Sequence, residues 1–447
     1  MQRNRSTRLL LATFSLAVLA ILGATPATAQ TEKILYRFDS VVNDGYFPTG
    51  TLITDKQGNL YGTGGGGGTF NQGTVFELTR SGGVWIENTL YTFTGNADGG
   101  RPSGGLVFDK SGNLYGTTFY GGANFANYGT GGVVFELSPP TTKGQPWTET
   151  VLYDFSDSLS AVGFTPAGGV SFDAAGNLYG VASDGGNGDA SLCGDQGCGT
   201  LFQLQPPSVS GGSWTLYDIH DFLTGTAEDG FAPDSVIVGP GGVLYGTTLA
   251  GQKPFEGKYE FVPGIVFRLN PPTTSGGAWT ERILYTFLPN QPTTGAMPNS
   301  VMLMNEHLFG TTQQGGFSNA GVIFELAPPI VLGELNETVL YNFTGGSDGS
   351  TPLGGLIMDS SGNLYGTAAH GGLVSGNCQN AGCGTVFKLS KNNGDWTETT
   401  LYDFTGGSDG WAPQGNLLMR GGMLFGTTDL GGVQVSEGAG TVFEVTP

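Results

Sequence analysis

The sequence predicts an all-β fold, a seven-bladed β-propeller of four-stranded antiparallel blades. Three observations carry that expectation. A phrase spelled G-N-L-Y-G-T around Tyr61 returns, with small changes, at Tyr115, Tyr179, Tyr245 and Tyr365, and as L-F-G at Phe309 and Phe425. The steps between these aromatics are 54, 64, 66, 64, 56 and 60 residues, which is the mark of one supersecondary unit copied about an axis. The third observation lies at the ends. Ile34-Leu35-Tyr36-Arg37-Phe38 is a fourth segment without its preceding three, and Thr441-Val442-Phe443-Glu444-Val445 is a third segment without its fourth. Pairing the two completes a seventh blade with an N-terminal strand and removes two exposed sheet edges. An open solenoid is the alternative, but it needs polar caps, and none is visible.

The elements follow in order. Arg3, Arg5 and Arg8 precede an apolar run from Leu9 to Leu22, and Ala27-Thr28-Ala29 matches the A-x-A pattern of a signal peptide spanning 1–29. The run is too short for a good membrane span, so no integral span is expected in the mature chain. Residues 30–447 then read as one propeller domain. In the second unit the first strand runs Pro102 to Asp109, and Ser111-Gly112-Asn113 makes a hairpin turn. The second strand is Leu114 to Thr118, and a Gly-rich loop follows. Val133 to Leu137 is the third strand and Trp147 to Phe155 the fourth. Third strands end in Phe76, Phe135, Phe202, Phe267, Phe324, Phe387 and Phe443, and fourth strands in Phe38, Phe93, Phe155, Phe222, Phe287, Phe343 and Phe404. A residue present in every unit is explained by the unit's own packing, at ~1.5–3 kcal/mol for each buried ring. Gly104-Gly105, Gly168-Gly169 and Gly354-Gly355 fit crowded inner strands.

Charge limits the partners. The chain carries −20, and residues 1–30 hold three Arg and no acid, so the mature protein would reach −23. That excess repels phosphate backbones and argues against nucleic acid. It is compatible with solubility outside the cell and with cation binding.

The pattern G-N-L-Y-G-T-T-x-x-G-G followed by G-T-V-F-x-L resembles the GloVer (Gloeobacter/Verrucomicrobia) tandem repeat of the choice-of-anchor proteins, over essentially all of 32–447. The resemblance implies an exported, propeller-like bacterial protein and brings no catalytic motif with it. Family members often end in an anchor segment, and this chain shows none. The D-x-x-G-N-L-Y portion, as at Asp55 to Tyr61, is also similar to NHL-type propeller repeats.

Candidate chemistry is sparse. His220 takes the place of Tyr in Leu-Tyr-Asp-Phe, eight residues of spacing from Trp214 to Phe222 placing it in a packing column. His307 and His370 fall elsewhere in other units, so no His-based metal or nucleophile site is expected. Cys193/Cys198 and Cys378/Cys383 form two C-x4-C pairs in loops between second and third strands, and local disulfides are expected in an exported chain. An Asp before Gly recurs between units at Asp44, Asp98, Asp229, Asp348 and Asp409. These carboxylates would ring one rim and bind Ca²⁺ or basic ligands, or simply accept backbone hydrogen bonds in Asp-Gly turns. Where units diverge, loop aromatics suit glycan or peptide contact: Phe125 and Tyr128 in unit two, Phe255, Tyr259 and Phe261 in unit four, and Trp411 before the last first strand.

Two functions remain open from the sequence. One is a monomeric, non-catalytic extracellular scaffold that binds a glycan, peptide or surface partner through its loop face, with no cofactor beyond Ca²⁺. The other is a carbohydrate-active lyase or hydrolase with acids at the mouth of the ring, Glu256 and Glu260 being the best guesses although Lys258 sits between them.

Overall fold

Every full unit of the chain forms an antiparallel meander of four strands, because short β-branched and aromatic runs alternate with Gly-, Asn- and Pro-rich turns. In blade 3 the strands are Phe164–Phe172, Leu178–Asp184, Thr200–Gln205 and Thr215–Asp221. The computed structural model describes residues 31–447 apart from 40–43, 124–130, 143, 156–161, 189–192, 194–196, 210, 224–228, 256–257, 275, 289–292, 332–333, 376–377, 379–380 and 433–437. For 252–261 and 329–334 the description extends at most to the backbone. Seven such blades form a closed ring. The seventh is a composite: Glu32–Arg37 pairs antiparallel with Thr441–Val445, Ile34 facing Phe443 and Arg37 facing Thr441. The expected seam is therefore present.

The core repeats with the sequence. Each fourth-strand Phe meets the third-strand Phe of the next blade edge-on or tilted, from Phe38–Phe76 and Phe93–Phe135 round to Phe404–Phe443, at centroid distances of 5.1–5.3 Å. All fourteen rings are at most 1% exposed. Such pairs contribute about 0.5–1.5 kcal/mol beyond their burial. The ring tip of each third-strand Phe rests on the glycine of its own L-Y-G: a Cβ at Gly62, Gly180 or Gly426 would lie 2.4–2.5 Å from Cζ of Phe76, Phe202 or Phe443. That contact explains why the phrase keeps its glycine.

A second repeated device joins blade to blade. The residue before each entry proline has positive φ, although none is glycine: Phe47, Arg101, Thr165, Ala232, Met297, Thr351 and Ala412, at 52–60°. This costs each of them roughly 1 kcal/mol or more. In return its N–H donates to a carbonyl of the preceding blade, as from Arg101 to Gln72 at 2.7 Å and, across the seam, from Phe47 to Ala439 at 3.1 Å. The proline ring that follows packs on a glycine of that blade, Pro102 on Gly73 and Pro48 on Gly440.

Inner strands meet at the axis. The first strand of blade 2, expected as one run, is split into Gly100–Pro102 and Val107–Phe108. Between them a Cβ on Gly104 would lie 2.0 Å from the carbonyl oxygen of Gly168. Close approach to the neighbouring blade thus takes the place of pairing at this point.

Candidate functional site

On the face where the blade entries meet the loops between second and third strands, a cleft of about 330 Å³ opens between blades 1 and 2. Its aromatic walls are two edge-to-face pairs, Tyr46–Phe47 at 4.6 Å and Phe119–Tyr120 at 4.8 Å. The Arg101 guanidinium lies 5.2 Å from the Tyr120 ring centre, within cation–π range. Polar groups accompany the rings. The Tyr46 hydroxyl donates to Asn71 Oδ1, and Ser103 Oγ is buried with no hydrogen-bond partner among the described residues. The local sequence explains the placement: Tyr46 is the residue after Asp-Gly, Phe47 and Arg101 are the left-handed residues that latch blades, and Phe119–Tyr120 follows L-Y-G-T-T. Exposed apolar side chains lie on the same set of loops, Phe70 in blade 1, Phe317 in blade 5, and Leu373 and Val374 in blade 6.

The five Asp-Gly aspartates have structural tasks. Thr94, Leu223, Thr344 and Thr405 donate their backbone N–H to Asp98, Asp229, Asp348 and Asp409 at 2.7–2.8 Å, and Asp39 does so to Asp44 at 3.3 Å. Tyr36, Tyr91, Tyr341 and Tyr402 donate their hydroxyls to Asp44, Asp98, Asp348 and Asp409 at 2.8–3.1 Å. A third group comes from the outer strand of the next blade. Burial first, and then the adjacent Asp, pushes Glu32, Glu87, Glu149 and Glu398 up to about 7. Each of these junctions is thus a Tyr–Asp–Glu clamp. Between blades 2 and 3 both acids are replaced, by Val162 and Leu216. Between blades 4 and 5 Thr294 replaces the Asp, and Tyr285 donates to Glu337 at 2.7 Å.

The junction of blades 3 and 4 carries His220 where the others have Tyr. As expected its ring packs edge-on against Phe222, at 4.7 Å. It also faces Asp229 and Glu281, a grouping that column alignment alone does not show. The signal was present in the sequence: one clamp exchanges its phenol for an imidazole and keeps both acids.

A larger cavity, about 980 Å³, lies on the opposite face between blades 4 and 5, with Tyr245, Leu303, Met304 and Leu335 among its lining. A leucine lines it where other blades carry a tryptophan. Trp214 covers Tyr115 at 6.1 Å and Trp279 covers Tyr179 at 5.9 Å, while Leu335 holds the equivalent place over Tyr245. The walls are mainly aliphatic, with Arg268, Asn305 and Glu306 as their polar members. The smaller cleft, with aromatic faces and hydrogen-bonding groups together, is the better match to a polar ligand.

The predicted loop residues fare differently. Phe125 and Tyr128, with Glu256, lie outside the described residues. Phe255, Tyr259 and Phe261, with Glu260, lie not in an irregular loop but on a β-hairpin that prolongs blade 4, Leu244–Phe255 turning into Lys258–Val262. Trp411 is no exposed loop residue. It begins the strand Trp411–Pro413, is 6% exposed and shares a buried cluster with Cys378 and Cys383. Both local disulfides are present, Cys193–Cys198 and Cys378–Cys383, with Cα separations of 5.3 and 5.1 Å. Among the described residues no helix is long and apolar enough to cross a membrane.

Solved structures of similar shape include a protein from Lactobacillus plantarum (13% identity, 80% of this chain and 85% of that one, TM-score 0.48). Others are a putative glucose dehydrogenase from Thermus thermophilus (14%, 93% and 99%, 0.41) and Pseudomonas fluorescens PhoX in complex with vanadate (10%, 94% and 95%, 0.42). No curated protein matches the sequence. The Gloeobacter/Verrucomicrobia repeat matches residues 20–193 and again 190–397. With seven copies of its phrase and most of its length covered, the chain belongs to the Gloeobacter/Verrucomicrobia repeat family.

Proposed function

We propose that this protein is an exported, non-catalytic propeller scaffold that binds an extracellular glycan in the aromatic cleft of its loop face. The observation that carries the reading is the cleft itself: Tyr46, Phe47, Phe119 and Tyr120 beside Arg101, Asn71 and Ser103. Sugars offer C–H faces to aromatic rings and hydroxyls to hydrogen-bonding groups, and the cleft supplies both kinds of contact. Arg101 adds a preference for sugars that bear a carboxylate. Export is supported by the leader-like residues 1–29 and by two disulfides, which persist in oxidising compartments.

The test uses protein recovered from the exported fraction, expected to begin at Gln30. Titration calorimetry against neutral and uronic-acid oligosaccharides should give binding to at least one acidic glycan without product release. Tyr120→Ala and Arg101→Ala should each weaken it by about tenfold, about 1.4 kcal/mol, with unchanged melting. Binding that ignores both substitutions, or none across the panel, overturns the cleft. Turnover of the glycan overturns the non-catalytic part.

A further inference from the structure

We propose that His220, Asp229 and Glu281 form a binding site for a divalent transition metal of the zinc class, joining blade 3 to blade 4. The ligand atoms of the three residues all lie within 4.8 Å of one another. His220 Nε2 is 3.4 Å from Asp229 Oδ2 and 3.7 Å from Glu281 Oε1. These separations are long for a charge-assisted hydrogen bond, which settles at about 2.7–2.9 Å. They approach the edge of a zinc tetrahedron, about 3.4 Å for bonds of about 2.0–2.1 Å.

The sister junctions provide the contrast. There a tyrosine hydroxyl reaches the Asp at 2.8–3.1 Å and bonds directly. Here the imidazole stops short, and His220 Nε2 and Glu281 Oε1 are buried with no hydrogen-bond partner among the described residues. Two such atoms converging on a carboxylate leave a space that a cation would satisfy. Asp229 is held in place for the task, its two oxygens accepting N–H from Leu223 at 2.8 Å and Gly230 at 2.7 Å. The side chains of His220 and Glu281 are 16% and 19% exposed, which leaves an entry path. One imidazole with two carboxylates favours Zn²⁺ over Ca²⁺ or Mg²⁺, which prefer all-oxygen shells. Three protein ligands leave a fourth position for water.

The experiment takes the whole mature protein after dialysis against EDTA and titrates it with zinc chloride at pH 7.5, followed by thermal melts. One equivalent should bind and raise the melting temperature, while calcium chloride at the same concentration leaves it unmoved. His220→Tyr installs the residue that the sister junctions use, so it should fold and melt like the metal-free protein. It should lose the zinc heat and the zinc-dependent rise. Glu281→Gln should weaken zinc binding at least tenfold. If wild type takes up no zinc, if His220→Tyr takes up as much, or if calcium alone stabilises the protein, the proposal falls.

Discussion

At the scale of single residues, the glutamates of the interblade clamps make stability depend on pH in an uncommon direction. A carboxyl raised from 4.5 to about 7 on folding holds its proton more tightly in the native state. Its contribution is intact below about 4.5 and declines as pH climbs through about 7. The melting temperature is therefore expected to fall between pH 5 and pH 8. General repulsion in so acidic a chain acts with the same sign, so the difference between variants is the decisive measurement. Glu398→Gln should shrink the fall, because no charge is then buried at this position, or set beside Asp348, at any pH. An identical pH profile for this variant would remove Glu398 from the explanation. Residues of this kind were only half legible in the sequence. The Asp-Gly turns were visible because Asp and Gly are adjacent. Their tyrosine partners stand seven or eight residues earlier, on the strand that leads into the turn, but their glutamates come from the next blade, which spacing along one unit does not reveal.

At the scale of elements, the repeat shows its departures as changes of packing. Strand order, hairpin turns and both Phe columns were readable, since each recurs from unit to unit at a nearly regular period. The split inner strands were not, because the cause is the carbonyl of a neighbouring blade, as at Gly104 and Gly168. Trp411 was misplaced for a related reason. A residue after Asp-Gly reads as loop, yet in blade 7 it starts a strand and turns inward. The aromatic cleft went unseen because it draws on short stretches of two blades, all of them tied to turns. The Leu335 position yields a prediction. Leu335→Trp restores the residue that covers the second-strand aromatic elsewhere, and it should fill part of the cavity beside Tyr245. A gain of about 1 kcal/mol in urea unfolding is expected. A loss would mean that the cavity walls have closed around leucine and reject the larger ring.

At the scale of the whole molecule, closure of the ring depends on one short strand. Glu32–Arg37 pairs with Thr441–Val445, and the residue after it, Phe38, packs edge-on against Phe76. Deleting residues 30–38 exposes the edge of Thr441–Val445 and removes that ring, whose loss alone costs about 3–5 kcal/mol. A large drop in melting temperature, with a tendency to associate through the freed edge, is the expected outcome in calorimetry and light scattering. Unchanged melting would mean that six and three-quarter blades hold themselves together. The clamps, the latches at the entry prolines and the Phe pairs all act between neighbours, so each junction stabilises locally and the seam alone makes the array endless.

The seam also sets a timetable for biogenesis. Arg37 finds Thr441 only after about 400 residues have been made. Until then the first strand of the nascent chain carries Ile34, Leu35, Tyr36 and Phe38 with no companion. Pairing over that distance is slow and invites aggregation. Shelter for the leading segment, or quick closure of the disc once Thr441–Val445 has been made, would each shorten that exposure.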